Sequence, residues 1–329
     1  MGGGAVIVPD RLVECVPNIS EGRRPEVVDE IAAAFTGPDV LVLDRSSDPD
    51  HDRTVLTLAG RGLALVEAAV AGAVAAARLI DLTRHRGVHP RMGALDVLPF
   101  VPLGTATALR GAADPDLDCA ALALRAGRRI AEEAGIPVYL YGAAARRPER
   151  AALPAVRGRG FEAALRSARQ APLPAPPDFG GPGPYPTAGA TAVGAREVLV
   201  AYNVDLAGAD LDLARRIASA VRERDGGLPA VRAMGVALEG RGLVQVSMNL
   251  LDYRVTPPAV AFAAVADLAA HAGARVVRSE VVGLVPAAAL AGTDPAELRQ
   301  DGFSPDLLLE QRLARVLRTR SGDQAEVAR

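Results

Sequence analysis

The sequence contains no lysine and no tryptophan; all 37 of its basic residues are arginine. Without lysine there is no P-loop amine for a nucleoside triphosphate, no Schiff base and no anchor for pyridoxal phosphate. Cysteine is scarce: Cys15 and Cys119, with no CxxC and no metal-finger spacing. That pattern excludes a disulfide scaffold and fits a reducing, cytoplasmic setting. Aromatics are limited to six Phe and five Tyr, and the net charge of −2 makes no electrostatic case for nucleic acid or a membrane surface. The first residues, MGGGAVIVPDR, lack the charged and apolar regions of a signal peptide. The longest apolar stretch, Leu63–Ile80, is alanine-rich and carries Glu67 and Arg78, so it reads as a buried helix rather than a membrane span. Imidazole chemistry has four residues to draw on: His51, His85, His89 and His271.

What is present is ample core material, with half of the 329 residues apolar and 23% charged. Short Val/Leu runs alternate with Ala/Leu/Arg/Glu stretches of helical spacing. The pattern predicts strands at 12–16, 40–43, 54–59, 95–101 and 137–141, and helices at 25–35, 63–80 and 116–134. Pro25 suits a first helical turn, where its missing N–H costs nothing. The first six of these elements read βαββαβ. Between Arg147 and Gly194 the chain is dense in Pro and Gly, a composition that argues against helix and for a domain connection, although Phe179 and Tyr185 lie inside it. The pattern then restarts, with strands at 198–202, 231–238, 244–249 and 275–277 and helices at 211–221 and 259–272. Two βαββαβ units imply an α+β protein made of two ferredoxin-like sandwiches, the element order repeated without clear sequence identity. A helix over 302–318 and a flexible tail over 321–329 complete the reading. The expected domains are residues 10–196 and 197–320.

Three polar segments interrupt this pattern: VPNISEG at 16–22, DRSSDPDHDR at 44–53 and TRHRGVHPRMGALD at 83–96. Loops tied to rigid strands are the usual place for catalysis. The second segment has the acidic look of a metal site. An EF-hand fails there, because Arg53 stands where the loop needs Gly and Ala59 where it needs Glu. A turn whose Asp side chains bond nearby backbone N–H groups accounts for it better. The third segment packs His85 and His89 beside Gly87, Pro90 and Gly93, which fix a tight backbone path. Such a loop suits an acid–base imidazole. Composition alone reads it equally well as a surface turn with incidental histidines. His85, between two arginines, suits the role less; His271 on an Ala-rich helix and Cys15 on a strand read as structural.

The same segments carry a resemblance. LVECVPNISEG (12–22), RGVHPRMGALDVLPF (86–100), GIPVYLYG (135–142), GATAVGAR (189–196), QVSMNLLDY (245–253) and EVVGLVP (280–286) closely resemble the glutamate formimidoyltransferase family over nearly the whole chain. The resemblance implies two ferredoxin-like subdomains with a substrate channel between them. It implies transfer of a formimidoyl group from N-formimidoylglutamate to N5 of tetrahydrofolate, with tetrahydrofolate as acceptor substrate and no metal or nucleotide. The family's catalytic histidine falls on His89, which would take the N5 proton and return it to the departing amine. Its folate loop falls on Gly180, Gly181, Pro182, Gly183, Pro184, Tyr185, Pro186, Thr187, Ala188 and Gly189. Both substrates carry glutamate carboxylates, for which Arg53, Arg91 and Arg196 are candidate partners, with Asn18 as a further substrate contact. Asp44, Asp96 and Asp52 are the choices for a carboxylate that orients the imidazole. Departures are Ser46 for an acidic residue of the animal members, Asp52 for Asn, and Ala188 for a Trp that would give the pterin a stacking surface. The fused cyclodeaminase of many animal members finds no counterpart in 329 residues, so a separate cyclodeaminase and a homodimer are the implied partners. Two alternatives stay open at this point: formyl transfer from N-formylglutamate or a related amine donor, and a folate-binding subunit without turnover.

Overall fold

A computed structural model describes residues 9–158, 160–170, 176–181, 183, 185–300 and 302–327. The chain divides into two compact units at the Arg196–Glu197 bond.

The first unit opens with β1 (Val13–Cys15) and β2 (Asn18–Ile19), then α1 (Pro25–Ala34), β3 (Val40–Asp48), β4 (Arg53–Gly60), α2 (Gly62–Leu79) and β5 (Leu95–Pro102). It continues with α3 (Cys119–Glu133), β6 (Val138–Gly142), α4 (Leu153–Arg157), α5 (Phe161–Gln170) and β7 (Thr191–Ala195). β1 and β2 are one strand path interrupted at Pro17, which has no N–H to give a ladder; its carbonyl still accepts from Leu56 N at 3.0 Å. Across the sheet the strands run β3, β4, β1/β2, β5, β7, β6. Joins among the first four are antiparallel; β7 lies parallel to both β5 and β6. α2 buries ten of its residues, many of them alanines, against a core that includes Ile31, Phe35, Leu56, Leu58 and Phe100. An alanine surface lets backbones approach closely: a Cβ on Gly72 would lie 2.3 Å from the Phe35 ring.

The second unit comprises β8 (Val200–Ala207), α6 (Leu211–Val221), β9 (Val231–Leu238), β10 (Leu243–Leu250), α7 (Pro258–His271), β11 (Arg275–Val282) and α8 (Leu309–Val327). Its sheet is antiparallel in the order β11, β8, β10, β9. Val200, Tyr202, Val204 and Leu206 of β8 share a core with Ile217 and Val265 of the helices. Of the alternate residues Asn203 and Asp205 are polar, and Asp205 accepts from Gln245 Nε2 at 2.7 Å and Arg278 Nε at 2.8 Å. Each unit therefore places its fourth strand beside its first and its third between the first and second, the same order twice.

Several expectations need correction. The 147–194 stretch holds two helices, α4 and α5, and ends in the buried strand β7. Its helices fit between the prolines: Pro154 occupies the first turn of α4, and α5 runs through Phe161–Gln170, where no proline occurs. The 44–53 segment is a hairpin rather than a loop: β3 and β4 pair as far as Asp48 opposite Arg53, leaving four residues in the turn. The C-terminal helix starts at Leu309 after a 3₁₀ turn at Pro305–Leu307 and continues to Val327, across most of the expected tail. β11 runs to Val282, five residues beyond the expected end; its polar residues find partners there, Arg278 on Asp205 and Ser279 on Tyr202 Oη and the Arg299 carbonyl.

Candidate active site

The three polar segments meet at one end of the first unit's sheet. The β3–β4 turn is closed by Asp48, whose Oδ1 accepts from His51 N at 2.8 Å, and by Asp52 in the left-handed region at φ 50°. Asp adopts that conformation more readily than most residues, and here a long-range bond holds it, Oδ1 accepting from Gly22 N at 3.0 Å. The 16–22 segment is fixed from both sides. Ser20 Oγ donates to Gly93 O at 2.7 Å, and Thr54 Oγ1 donates to Glu21 O at 2.6 Å. Glu21 accepts from the N–H groups of Arg23 and Arg24 and from Arg24 Nε, and these donors outweigh its burial and hold its carboxyl below the usual range.

The 83–96 loop is strapped over that hairpin turn. His85 Nε2 lies 2.8 Å from Asp52 O, and Gly87 N donates to His85 Nδ1 at 3.2 Å. The ring is thus neutral with its hydrogen on Nε2, and burial lowers its pKa. Val88 N donates to Asp50 O at 3.2 Å. Gly87 is obligatory in this path, since a Cβ there would lie 2.1 Å from His51 O. The far end of the loop bonds to the last part of the Pro/Gly segment, with Ala94 N donating to Ala188 O at 2.8 Å and Ala190 N to Met92 O at 2.9 Å.

His89 sits half-buried at the centre of this arrangement, its ring 5.9 Å from that of His51. Among the described residues no carboxylate bonds to it, contrary to the expectation of Asp44, Asp96 or Asp52 as its orienter. Its partner is Arg53, whose Nη1 lies 3.0 Å from Nδ1. A guanidinium has only donors, so Nδ1 accepts and the ring hydrogen lies on Nε2. Arg53 is held in turn by Asp96 Oδ2 at 2.9 Å and by Asn18 Oδ1 at 2.6 and 3.1 Å. Asp96 acts through Arg53 because its carboxylate is fully buried, with Oδ1 taken by Met92 N at 2.8 Å. Asp52 serves the hairpin turn and His85 instead. Burial first, then the charges of Arg53 and Arg157, press the His89 pKa well below the usual imidazole value, so the ring is neutral at neutral pH.

Arg157 is the participant that sequence reasoning missed. It ends α4 and donates from Nη2 to Asp96 Oδ2 at 2.7 Å. A stretch read as a Pro/Gly connection gave no reason to look for it. The other expected substrate contacts, Arg91 and Arg196, have protein partners of their own. Arg91 pairs with Glu162 at 2.6 Å, and the backbone N–H of Arg196 donates to Phe100 O at 3.2 Å.

The Pro/Gly segment is anchored at both ends. Arg150 donates to Asp178 Oδ2 at 2.7 Å and to Pro176 O at 2.6 Å, and the Phe179 ring lies between the guanidiniums of Arg146 and Arg128. Tyr185 and Gly189 exchange backbone hydrogen bonds of 2.7 and 2.9 Å, closing a tight hairpin. Ala188 is buried in the core with its carbonyl occupied, while Gly180, Gly181, Tyr185 and Pro186 are exposed; Gly183 and Thr187 are intermediate. Pro182 and Pro184 lie outside the described residues.

Comparison with known proteins gives one answer for both units. The profile of the formiminotransferase domain, N-terminal subdomain, matches residues 12–196, and that of the formiminotransferase domain matches residues 201–303. The chain is 43% identical to the glutamate formimidoyltransferase of Thermoplasma acidophilum over 307 residues, covering 93% of this chain and 98% of that protein. It is 40% identical to the glutamate formimidoyltransferase of Streptococcus pyogenes, covering 89% and 95%. Against the formimidoyltransferase-cyclodeaminase of Sus scrofa it is 44% identical over 85% of this chain and spans about half, 51%, of the longer relative.

Proposed function

Since the chain belongs to the formiminotransferase family, we propose that its substrates meet at His89. It is a glutamate formimidoyltransferase: it moves the formimidoyl group of N-formimidoyl-L-glutamate to N5 of tetrahydrofolate, leaving glutamate. The observation that carries the role of His89 is the neutral imidazole fixed by Arg53 at one nitrogen, which leaves Nε2 for a ligand. N5 attacks the amidine carbon and a tetrahedral adduct forms. As the carbon–nitrogen bond to glutamate breaks, its electron pair stays on nitrogen, which takes the Nε2 hydrogen. The N5 proton replaces it on Nε2, so the ring is neutral before and after. Giving precedes taking in this order, because Nε2 starts protonated. The guanidiniums of Arg53 and Arg157 stabilise the ring while it is short of a proton.

We infer further that both units are ferredoxin-like sandwiches, and that the exposed residues of 180–187 contact the folate. The repeated strand order supports the first reading, and the anchoring of Asp178, Phe179 and Gly189 supports the second. Tetrahydrofolate is the sole cofactor-like molecule in the scheme, and 5-formimidoyltetrahydrofolate passes to a separate cyclodeaminase; the working form is a cytoplasmic homodimer.

The test is incubation with tetrahydrofolate and N-formimidoylglutamate, then with N-formylglutamate, with products identified by mass. We expect 5-formimidoyltetrahydrofolate and glutamate. Product from the formyl donor alone would replace the formimidoyl reading. Hydrogen exchange across residues 178–189 with and without tetrahydrofolate tests the folate loop; unchanged protection would remove that assignment.

A further inference from the structure

The described arginines of the first unit that are largely buried fall into two groups. Arg150 faces one carboxylate, Asp178, donates to Pro176 O with its other arm, and lies over the Tyr139 ring. Arg91 likewise faces one carboxylate, Glu162. Each of these charges is balanced. Arg53 and Arg157 are different: both point at the same oxygen, Asp96 Oδ2, from 2.9 and 2.7 Å. Their side chains are only 13% and 16% exposed, and Asp96 is 0% exposed. Two cations thus share one anion, beside an imidazole that burial and, after it, both charges keep neutral.

Arg157 is also under-bonded. Among the described residues its single hydrogen bond uses Nη2, and its Nε, like that of Arg91, is buried with no acceptor. A buried charge surplus and an unmet donor are both costly, and both are relieved by one anionic acceptor. Arginine forks match carboxylates in particular.

We propose that Arg157, with Arg53, forms an anion subsite that takes a substrate carboxylate beside His89. This rests on the transferase reading only for the source of that carboxylate, which is the glutamate of the donor or the glutamyl tail of the folate. The subsite does two things when filled. It fixes a glutamyl group within reach of the proton-exchanging imidazole, and it offsets the surplus positive charge of the two guanidiniums that share Asp96. By linkage, filling it raises the affinity of His89 for a proton, and a proton on His89 tightens the anion.

The experiment uses glutarate with the intact protein and no folate, so that its outcome is independent of turnover. Glutarate should bind, and histidine NMR should show the His89 pKa rising as it does. Arg157→Gln should weaken glutarate about 10- to 100-fold, the worth of a charge-assisted hydrogen bond, and Arg157→Lys should weaken it less. Kinetics then assign the source. A KM rise for N-formimidoylglutamate alone places the donor carboxylate there. A rise for tetrahydrofolate alone, with tetrahydropteroate unaffected, places the folate tail there. Failure of the wild type to bind glutarate, an unmoved His89 pKa on binding, or equal glutarate affinity in a folded Arg157→Gln protein overturns the proposal.

Discussion

Arg53 Nη1 lies 3.0 Å from His89 Nδ1 and 2.9 Å from Asp96 Oδ2. The imidazole is therefore backed by a cation, with the carboxylate one step behind. A carboxylate in direct contact would hold a hydrogen on Nδ1 and leave a lone pair on Nε2. A guanidinium does the reverse and also lowers the pKa, so the group offered to a ligand is a neutral N–H donor.

Replacing His89 by Gln keeps a polar side chain of similar reach but removes the exchangeable ring proton. We expect turnover to fall by about 10²- to 10⁴-fold, with tetrahydrofolate affinity changed by no more than a few-fold. Single-turnover kinetics and equilibrium binding on the same sample separate the two. Turnover near that of the wild type in a folded variant would remove His89 from the mechanism.

Stability should fall as the pH drops below about 6.5, the value of a free imidazole. His89 and His85 both have pKa values lowered mainly by burial. Below that pH the unfolded chain binds protons that the native sites refuse, so acid favours unfolding. Urea midpoints between pH 7.5 and 5.5 should show the decline, and His89→Gln should flatten part of it. The lowered carboxylates Glu21 and Asp96 act below this window. An identical slope in the variant would mean that His89 titrates normally in the folded protein.

Asp96→Asn should be among the most damaging near-isosteric changes in the first unit. It leaves two guanidiniums without their shared buried partner, a loss of about 3–5 kcal/mol for a pair broken from one side. Chemical unfolding reads the stability loss, and turnover should drop with it because Arg53 no longer has a fixed position. A variant as stable as the wild type would show that the pair is solvated in solution.

Gly87→Ala should damage activity more than the sheet. The new methyl group meets His51 O at 2.1 Å, so the strap over the β3–β4 turn has to lift. Overpacking of this kind costs about 1–3 kcal/mol. We expect kcat/KM to fall while far-UV circular dichroism is unchanged. Full activity would mean that the loop adapts without moving His89.

Hydrophobic periodicity by itself makes most of the elements legible. α6 and β9 occupy the residues expected, and α2 is displaced by one. The HPRMG sequence points to His89, and the Pro–Gly pattern around it to a constrained loop. Three features escape such a reading. β3 and β4 extend through polar residues because their ladder runs past the core, and edge pairing tolerates Asp and Ser where alternation gives no signal. β7 is a strand of small residues, packed so tightly that a Cβ on Gly194 would meet the Tyr141 ring at 2.5 Å, and its alanines carry no β propensity. The link from His89 through Arg53 to Asp96 and Arg157 joins residues from three segments, and no local spacing encodes it. With arginine so abundant, nothing in the sequence distinguishes Arg157 from its neighbours.

The order of strands also bears on how the chain is made. β1/β2 gains its first neighbour when β4 has been synthesised and its second only with β5, at residues 95–102. At about 5–20 residues per second, translation takes seconds to cover that interval. The loop carrying His89 is the segment that emerges immediately before β5. On a ribosome, the pairing of β1/β2 on both sides and the joining of His89 to Arg53 and Asp96 therefore belong to one event, and a pause in translation within 83–102 would hold an open strand edge and an unformed His89–Arg53–Asp96 link together.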